Sequence, residues 1–195
     1  MDDLQKAIDI IQNGGIIIYP TDTVFGLACR IDSKQALKRL FKIKQRSATQ
    51  SIPVLVDSIT MAQKYLQPIP QEVKEQLMDR YWPGGLTIVL PCDREKVPSL
   101  VRGNGNTLGV RIPDHSLTQK LIHGVNEPIT GTSANFHGHM TPTKQESLDP
   151  KLLKLVDFVL PGECYNGVSS TVIDCSVQSW KILRDGAVKI LQNPL

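Results

Sequence analysis

The stretch Gly14-Gly15-Ile16-Ile17-Ile18-Tyr19-Pro20-Thr21-Asp22-Thr23-Val24-Phe25-Gly26-Leu27-Ala28-Cys29 decides the fold. Its glycine pair stops a helical stripe in which Leu4, Ala7, Ile8 and Ile11 recur between Asp2 and Asn13. Ile16 to Tyr19 is then a short β-branched run ended by Pro20, and Val24 to Cys29 is a second extended piece beyond the polar turn Thr21-Asp22-Thr23. Two extended pieces follow one helix here, and a turn rich in side-chain oxygens joins them.

Downstream, Ser33 is a good N-cap for a helix through about Lys44, with Ala36, Leu37, Leu40, Phe41 and Ile43 inward and a basic opposite face. Ile52 to Val56 reads as a buried strand, placed at a sheet edge because of Pro53. Helices are expected over 58–66 and 71–81, the second stopped by Trp82-Pro83-Gly84-Gly85. Strands over 86–90 and 108–112 flank the Gly103-Asn104-Gly105-Asn106 turn, and Asp114 is expected to cap a helix ending at Gly124. The last third alternates Ile129-Thr130, a polar loop over 131–143, a helix over 150–156 and strands over 158–160, 170–174 and 181–184. Helices this irregularly placed do not make strict βαβ alternation. The expected fold is α/β, a single domain over residues 1–195 built on a twisted mixed sheet with flanking helices.

With 195 residues, 41% hydrophobic and 21% charged, the chain can bury a sizeable core, which excludes a disordered tail, a coiled coil or a disulfide-stapled mini-protein. The balance of 22 basic against 19 acidic residues, a net +3, is too small to announce a nucleic-acid binder. Cys29, Cys92, Cys164 and Cys175 never form a C-x-x-C pair, so they read as reduced, mostly buried thiols. The opening residues lack a basic and then apolar leader, and no stretch approaches eighteen apolar residues. A cytoplasmic protein with no membrane partner is expected.

Phosphate-loop, dinucleotide-fold and nucleophile-elbow motifs do not occur. His137 and His139 share a face of an extended segment, where a solvated pair outweighs a metal site, and His115 and His123 fall at helix ends, where capping is the default. Three clusters carry more. Lys44-Gln45-Arg46 ends a helix that holds no acid from Ser33 onward, and suits either a solvated face or an anion clamp. The loop Thr130-Gly131-Thr132-Ser133-Ala134-Asn135 is an ordinary turn or a ligand-approaching backbone with hydroxyl donors. Thr107, Arg111, Ser169, Ser170, Thr171 and Arg184 lie at or beside strands, and their arginines require structural carboxylates or an anionic ligand.

The ordered set Tyr19-Pro20-Thr21-Asp22-Thr23-Val24-Phe25-Gly26-Leu27, Lys44-Gln45-Arg46, Trp82-Pro83-Gly84, Gly109-Val110-Arg111-Ile112-Pro113, Thr132-Ser133-Ala134-Asn135, Ser170-Thr171-Val172-Ile173-Asp174 and Leu183-Arg184-Asp185-Gly186 resembles the YrdC/Sua5 family over nearly the whole chain. No single motif is specific, whereas K-x-R followed by S-x-N within the ordered set is. The resemblance implies the short, single-domain type with a concave basic face. It also implies a nucleotidyltransferase, L-threonylcarbamoyladenylate synthase, which makes threonylcarbamoyl-AMP and pyrophosphate from L-threonine, bicarbonate or CO2 and ATP for the t6A modification of tRNA.

Carried to matching positions, the resemblance implies that Lys44 and Arg46 act on the ATP phosphates. Gln50, Thr107, Ser133, Asn135 and Arg184 are further ATP-binding positions, with Asn135 the candidate for Mg²⁺. Thr21, Thr23, Arg111 and Ser170 would bind threonine, and which of the two threonines contacts it stays open. Ser47 stands where many members have proline, which loosens the case for Gln50. The implied partners beyond the substrates are the t6A transferase machinery and tRNA or double-stranded RNA. Three rivals compete with this reading: an RNA-binding protein without catalysis, a paralogue acting on another carboxylated or carbamoylated substrate, and a carbamoyl-transfer domain like those of hydrogenase-maturation proteins.

Overall fold

The computed structural model describes residues 2–190. Its elements run α1 (Asp3–Gln12), β1 (Ile17–Tyr19), β2 (Gly26–Ala28), α2 (Lys34–Lys44), β3 (Val54–Leu55) and α3 (Ile59–Gln63). There follow α4 (Gln71–Val73), a π-helical turn (Lys74–Met78), α5 (Asp79–Tyr81), β4 (Leu86–Pro91), α6 (Ser99–Arg102), β5 (Thr107–Arg111) and α7 (Ser116–Val125). The chain continues through β6 (Ile129–Thr130), β7 (Thr132–Ser133), α8 (Pro150–Leu153), β8 (Phe158–Val159), β9 (Thr171–Asp174) and β10 (Lys181–Arg184).

The expected α/β architecture is present, and its strands divide between two mixed sheets. One has the order β7-β2-β1-β8 and the other β10-β9-β4-β5-β3-β6. β1 pairs antiparallel with β2 and parallel with β8. In the larger sheet β4 runs antiparallel to β5 and parallel to β9, and β5 runs parallel to β3. The chain changes sheets within three residues. β6 belongs to the larger sheet and β7 to the smaller, with Gly131 between them, and its N–H donates to the Pro53 carbonyl at 2.8 Å.

The apolar run behaves as its composition demands. Ile16, Ile17, Ile18 and Tyr19 are fully buried, because β1 is central in its sheet and covered on both faces. Each such isoleucine contributes roughly 1.5–3 kcal/mol of burial. Gly26 pairs opposite Tyr19, and a Cβ there would lie 2.8 Å from the tyrosine ring, so only glycine lets β2 pass. α2 begins where expected, with Ser33 Oγ accepting from the Ala36 N–H at 3.3 Å. It ends at Gln45, whose left-handed backbone (φ 50°) turns the chain, and the Arg46 N–H closes back on Phe41 O at 3.1 Å.

Three expectations are corrected. Pro53 does not mark an edge: β3 lies between β5 and β6, and the proline precedes the first paired residue, so its missing N–H removes no ladder bond. Residues 132–133 are not loop but strand β7, paired with β2, a segment too short to show period-two alternation. His115, not Asp114, caps α7, its Nδ1 accepting from the Thr118 N–H at 3.3 Å.

All four cysteines are free; Cys29, Cys92 and Cys175 are buried and Cys164 is half-buried. Burial pushes the Cys29 and Cys175 thiols up to about 12 and raises Cys92 and Cys164 as well. Native protein treated with iodoacetamide at pH 8 is therefore expected to alkylate slowly, and unfolded protein to take up four groups. Mass spectrometry checks this, and rapid modification of Cys29 or Cys175 in the folded state would contradict it.

Candidate functional site

A cavity of about 280 Å³ opens where the two sheets meet. β4, β5 and β9 contribute Thr87, Val89, Gly109 and Val172 to its lining, and the 21–25 turn contributes Thr21, Thr23 and Phe25. Three guanidinium groups, Arg46, Arg111 and Arg184, reach the same space, and no carboxylate is among the lining residues described.

Arg111, 5% exposed, is held at three points. Its Nε donates to Gly84 O at 2.8 Å, its Nη1 to Thr23 Oγ1 at 2.9 Å and its Nη2 to Asp22 Oδ1. The structural-carboxylate alternative thus holds for this arginine. Two of its five N–H donors remain for a ligand. Asp22 is itself buried, and its Oδ2 has no partner. Burial lowers the Arg111 pKa, against the opposing pull of Asp22.

The two threonines of the turn divide the work. Thr21 Oγ1 donates to Val24 O at 2.7 Å and accepts from the Thr23 and Val24 N–H groups, each at 3.1 Å, so it builds the turn. Thr23 Oγ1 instead receives Arg111 and lies 2.9 Å from Thr21 Oγ1. Both side chains line the cavity.

Arg46 owes its position to the left-handed Gln45 and to the loop that follows. Its Nη2 donates to Ser51 O at 2.6 Å, while its buried Nε has no partner. That loop is backed by Gly103, at φ +59°, where a Cβ would stand 2.6 Å from both Ser51 N and Thr49 O. Arg184 comes from β10; its Nε donates to Ser170 O at 2.9 Å and its Nη2 to Ser170 Oγ at 3.0 Å, and Ser170 Oγ lies 2.9 Å from Thr87 Oγ1. Neither arginine has a carboxylate partner among the ion pairs of the described residues. Burial lowers the pKa of both, and Arg111 adds repulsion at Arg184. The cavity is a partly buried cationic site with no carboxylate in its described lining.

Of the residues singled out in the sequence, Thr21, Thr23, Arg46, Thr107, Arg111, Ser133, Ser170 and Arg184 line this one cavity. Lys44, Asn135 and Gln50 do not. Gln50 is exposed in a turn whose N–H bonds Ser47 O at 3.0 Å. Lys44 is 3% exposed, and its Nζ donates to Ser133 O (2.7 Å), Asn135 O (2.6 Å) and Asn135 Oδ1 (2.8 Å). Burial, with Arg46 nearby, pushes its pKa down to about 8.

A protein-held Mg²⁺ does not fit this arrangement. Asn135 Oδ1 already accepts from the Lys44 ammonium and, at 2.7 Å, from Ser133 Oγ, so a cation there would face an ammonium. Among the described residues no three His, Cys, Asp or Glu side chains gather as a metal site. His137 and His139 are exposed on the loop, in keeping with the solvated reading.

Sequence reasoning missed Asp22, Ser51 and Thr87 as site-builders. Thr87 carried a signal, a hydroxyl inside the apolar run Leu86-Thr87-Ile88-Val89-Leu90, on the strand face it shares with Val89. Ser51 acts through its carbonyl, to which any residue type would be equivalent.

The family model for Sua5, YciO and YrdC proteins, described as "Telomere recombination", matches residues 9–186. The chain is 34% identical to the threonylcarbamoyl-AMP synthase of Pyrococcus abyssi, covering 96% of this chain and 55% of that protein. The crystal structure of P. abyssi Sua5 complexed with L-threonine superposes with a TM-score of 0.87 at 32% identity, over 95% of this chain and 55% of that one. The chain thus spans about half the length of that relative. It is also 34% identical to the threonylcarbamoyl-AMP synthase of Vibrio cholerae O395, covering 95% of this chain and 98% of that protein. The Escherichia coli YciO structure matches at a TM-score of 0.83 and 26% identity, over 96% of this chain and 90% of that one. A family match across most of the chain, the ordered motifs and their convergence on one cationic cavity lead to a single conclusion. The chain belongs to the Sua5/YciO/YrdC family.

Proposed function

We propose that this protein is an L-threonylcarbamoyladenylate synthase, joining L-threonine, bicarbonate or CO2 and ATP into threonylcarbamoyl-AMP with release of pyrophosphate. The observation that carries this reading is the cavity itself: three arginines, five predicted hydroxyl residues and no lining carboxylate converge between the sheets. Such a lining suits a polyanion and a carboxylate together.

The chemistry asks little of protein nucleophiles. The threonine amine, once deprotonated, attacks the carbon of CO2 to give a carbamate with loss of a proton, the CO2 being used directly or formed from bicarbonate by loss of water. A carbamate oxygen then attacks the α-phosphorus, and the bond to pyrophosphate breaks. Both nucleophiles are substrate atoms, so the protein aligns them and neutralises charge. Arg46 and Arg184, with Thr107 and Ser133, are assigned to the triphosphate. Arg111 offers its remaining donors to the threonine carboxylate, beside Thr23, Thr21 and Ser170. Magnesium enters with the nucleotide, whose charge it reduces, and not as a resident ion.

In this reading the enzyme works in the cytoplasm and its product feeds a transferase that modifies tRNA. No helix of the described residues is long and apolar enough to cross a membrane. Incubation with ATP, threonine and bicarbonate is expected to yield pyrophosphate and a threonylcarbamoyl adenylate detectable by mass spectrometry. Pyrophosphate formation that does not depend on threonine and bicarbonate, or none at all from folded protein, would overturn the proposal.

A further inference from the structure

Lys44 and Arg46 sit two residues apart yet serve different surfaces. Between them Gln45 adopts the left-handed conformation, and only Arg46 lines the cavity. The Lys44 ammonium has three N–H donors and meets three oxygens within 2.8 Å: Ser133 O, Asn135 O and Asn135 Oδ1. Its hydrogen-bonding capacity is therefore full. Two of these acceptors are backbone carbonyls of one turn, and the third also accepts from Ser133 Oγ at 2.7 Å. Asn135 carries the chain of contacts onward, its Nδ2 donating to His139 O at 2.6 Å.

We propose that Lys44 is a positioning residue, whose ammonium bolts the Thr132–Asn135 turn to the end of α2 and thereby holds Ser133 on the cavity, while Arg46 delivers the charge of the K-x-R pair to the ligand. The proposal rests on the function given above only in its kinetic part. Swinging Lys44 out to a phosphate would strip three oxygens of their common donor in exchange for one ligand contact. Apart from the ammonium, the turn is tied to the rest of the fold by the two-residue β7, paired to β2 through Gly26 and Leu27, by the Ala134 N–H to Phe25 O bond at 2.8 Å, by the Gly131 N–H to Pro53 O bond at 2.8 Å and by the Asn135 Nδ2 to His139 O bond at 2.6 Å. A compact ammonium suits three convergent acceptors in a slot only 3% exposed, and a planar guanidinium fork does not.

The test uses ligand-free protein first. In Lys44→Met, hydrogen exchange at amides 131–136 is expected to quicken by at least about tenfold while β4 and β5 keep their protection. A lysine that only contacts phosphate would leave ligand-free exchange unchanged, and that result overturns the proposal. In turnover, Lys44→Arg is expected to fail almost as badly as Lys44→Met, each losing about 10²-fold in kcat through a misplaced Ser133. Near-parental turnover by Lys44→Arg would equally overturn it, since a charge role is all that this variant preserves. Should Lys44→Met not fold, Asn135→Ala removes one acceptor and leaves the ammonium in place; it is expected to quicken the same amides, and parental exchange there counts against the bolt. A parent enzyme that makes no adenylate would sink the proposed function without touching the exchange result.

Discussion

Arg46→Ala is expected to lower kcat by about 10²–10³-fold, the cost of removing one preorganised cationic donor from the site, while the melting temperature barely moves. The second half of that expectation follows from the contacts. Arg46 makes one hydrogen bond, to Ser51 O, its Nε is buried without a partner, and it faces no carboxylate among the described ion pairs. Burial already lowers its pKa, so the folded protein holds this charge at a cost. Truncation removes that cost together with the bond, and a stability change within about 1 kcal/mol is expected. Pyrophosphate release and thermal melts on the same preparation check both halves. Parental turnover by a normally melting Arg46→Ala would remove Arg46 from the triphosphate site.

Arg111→Ala is expected to do the opposite, with its largest effect on the fold. The variant strands Asp22, 3% exposed, with neither carboxylate oxygen paired to a cation, and leaves Gly84 O and Thr23 Oγ1 without their donor. Breaking a buried pair from one side costs about 3–5 kcal/mol, which for a chain of this size lowers Tm by on the order of 10 °C. Asp22→Asn placed on top of Arg111→Ala should restore part of that loss, because the stranded charge is gone. A loss below about 1 kcal/mol in chemical denaturation would show that the pair does not tie the 21–25 turn to β5. Arg111→Lys separates fold from function: it keeps the charge but not the three-point fork, so it should fold and demand roughly tenfold more threonine or greater. An unchanged threonine requirement in that variant would count against the carboxylate role.

Local chemistry made much of the fold legible before any coordinates. Ser33 caps α2 as its hydroxyl and position suggest, Ile16 to Tyr19 is buried as an unbroken apolar run must be, and Trp82-Pro83-Gly84-Gly85 ends the helical run that closes at Tyr81. Errors arose where partners lie far along the chain. Pro53 looked like an edge marker because its missing N–H is a local fact, whereas β3 acquires neighbours on both sides from β5 and β6, more than fifty residues downstream in the case of β5. β7 could not be seen at all, since two residues show no period and gain strand geometry only from β2.

The site shows the same division more sharply. Residue types and spacing gave three separate clusters, each with a structural alternative open, and it was the resemblance to the family that gathered Arg46, Arg111, Arg184, Ser133, Ser170, Thr21 and Thr23 as one candidate site; in the structure these residues line one cavity. What each does was decided by tertiary structure. Lys44 and Arg46 share a motif, but one left-handed residue between them sends Lys44 into three carbonyl-type oxygens and Arg46 to the cavity. Asp22 reads as a turn residue and becomes the counter-ion of Arg111, 89 positions away. Composition, pattern and spacing are summed along the chain, so the sequence alone determined the longer elements and which chemistry is available. Orientation depends on which oxygens and cations the folded sheets bring within about 3 Å of one another, and that was settled only when the two sheets met at Gly131.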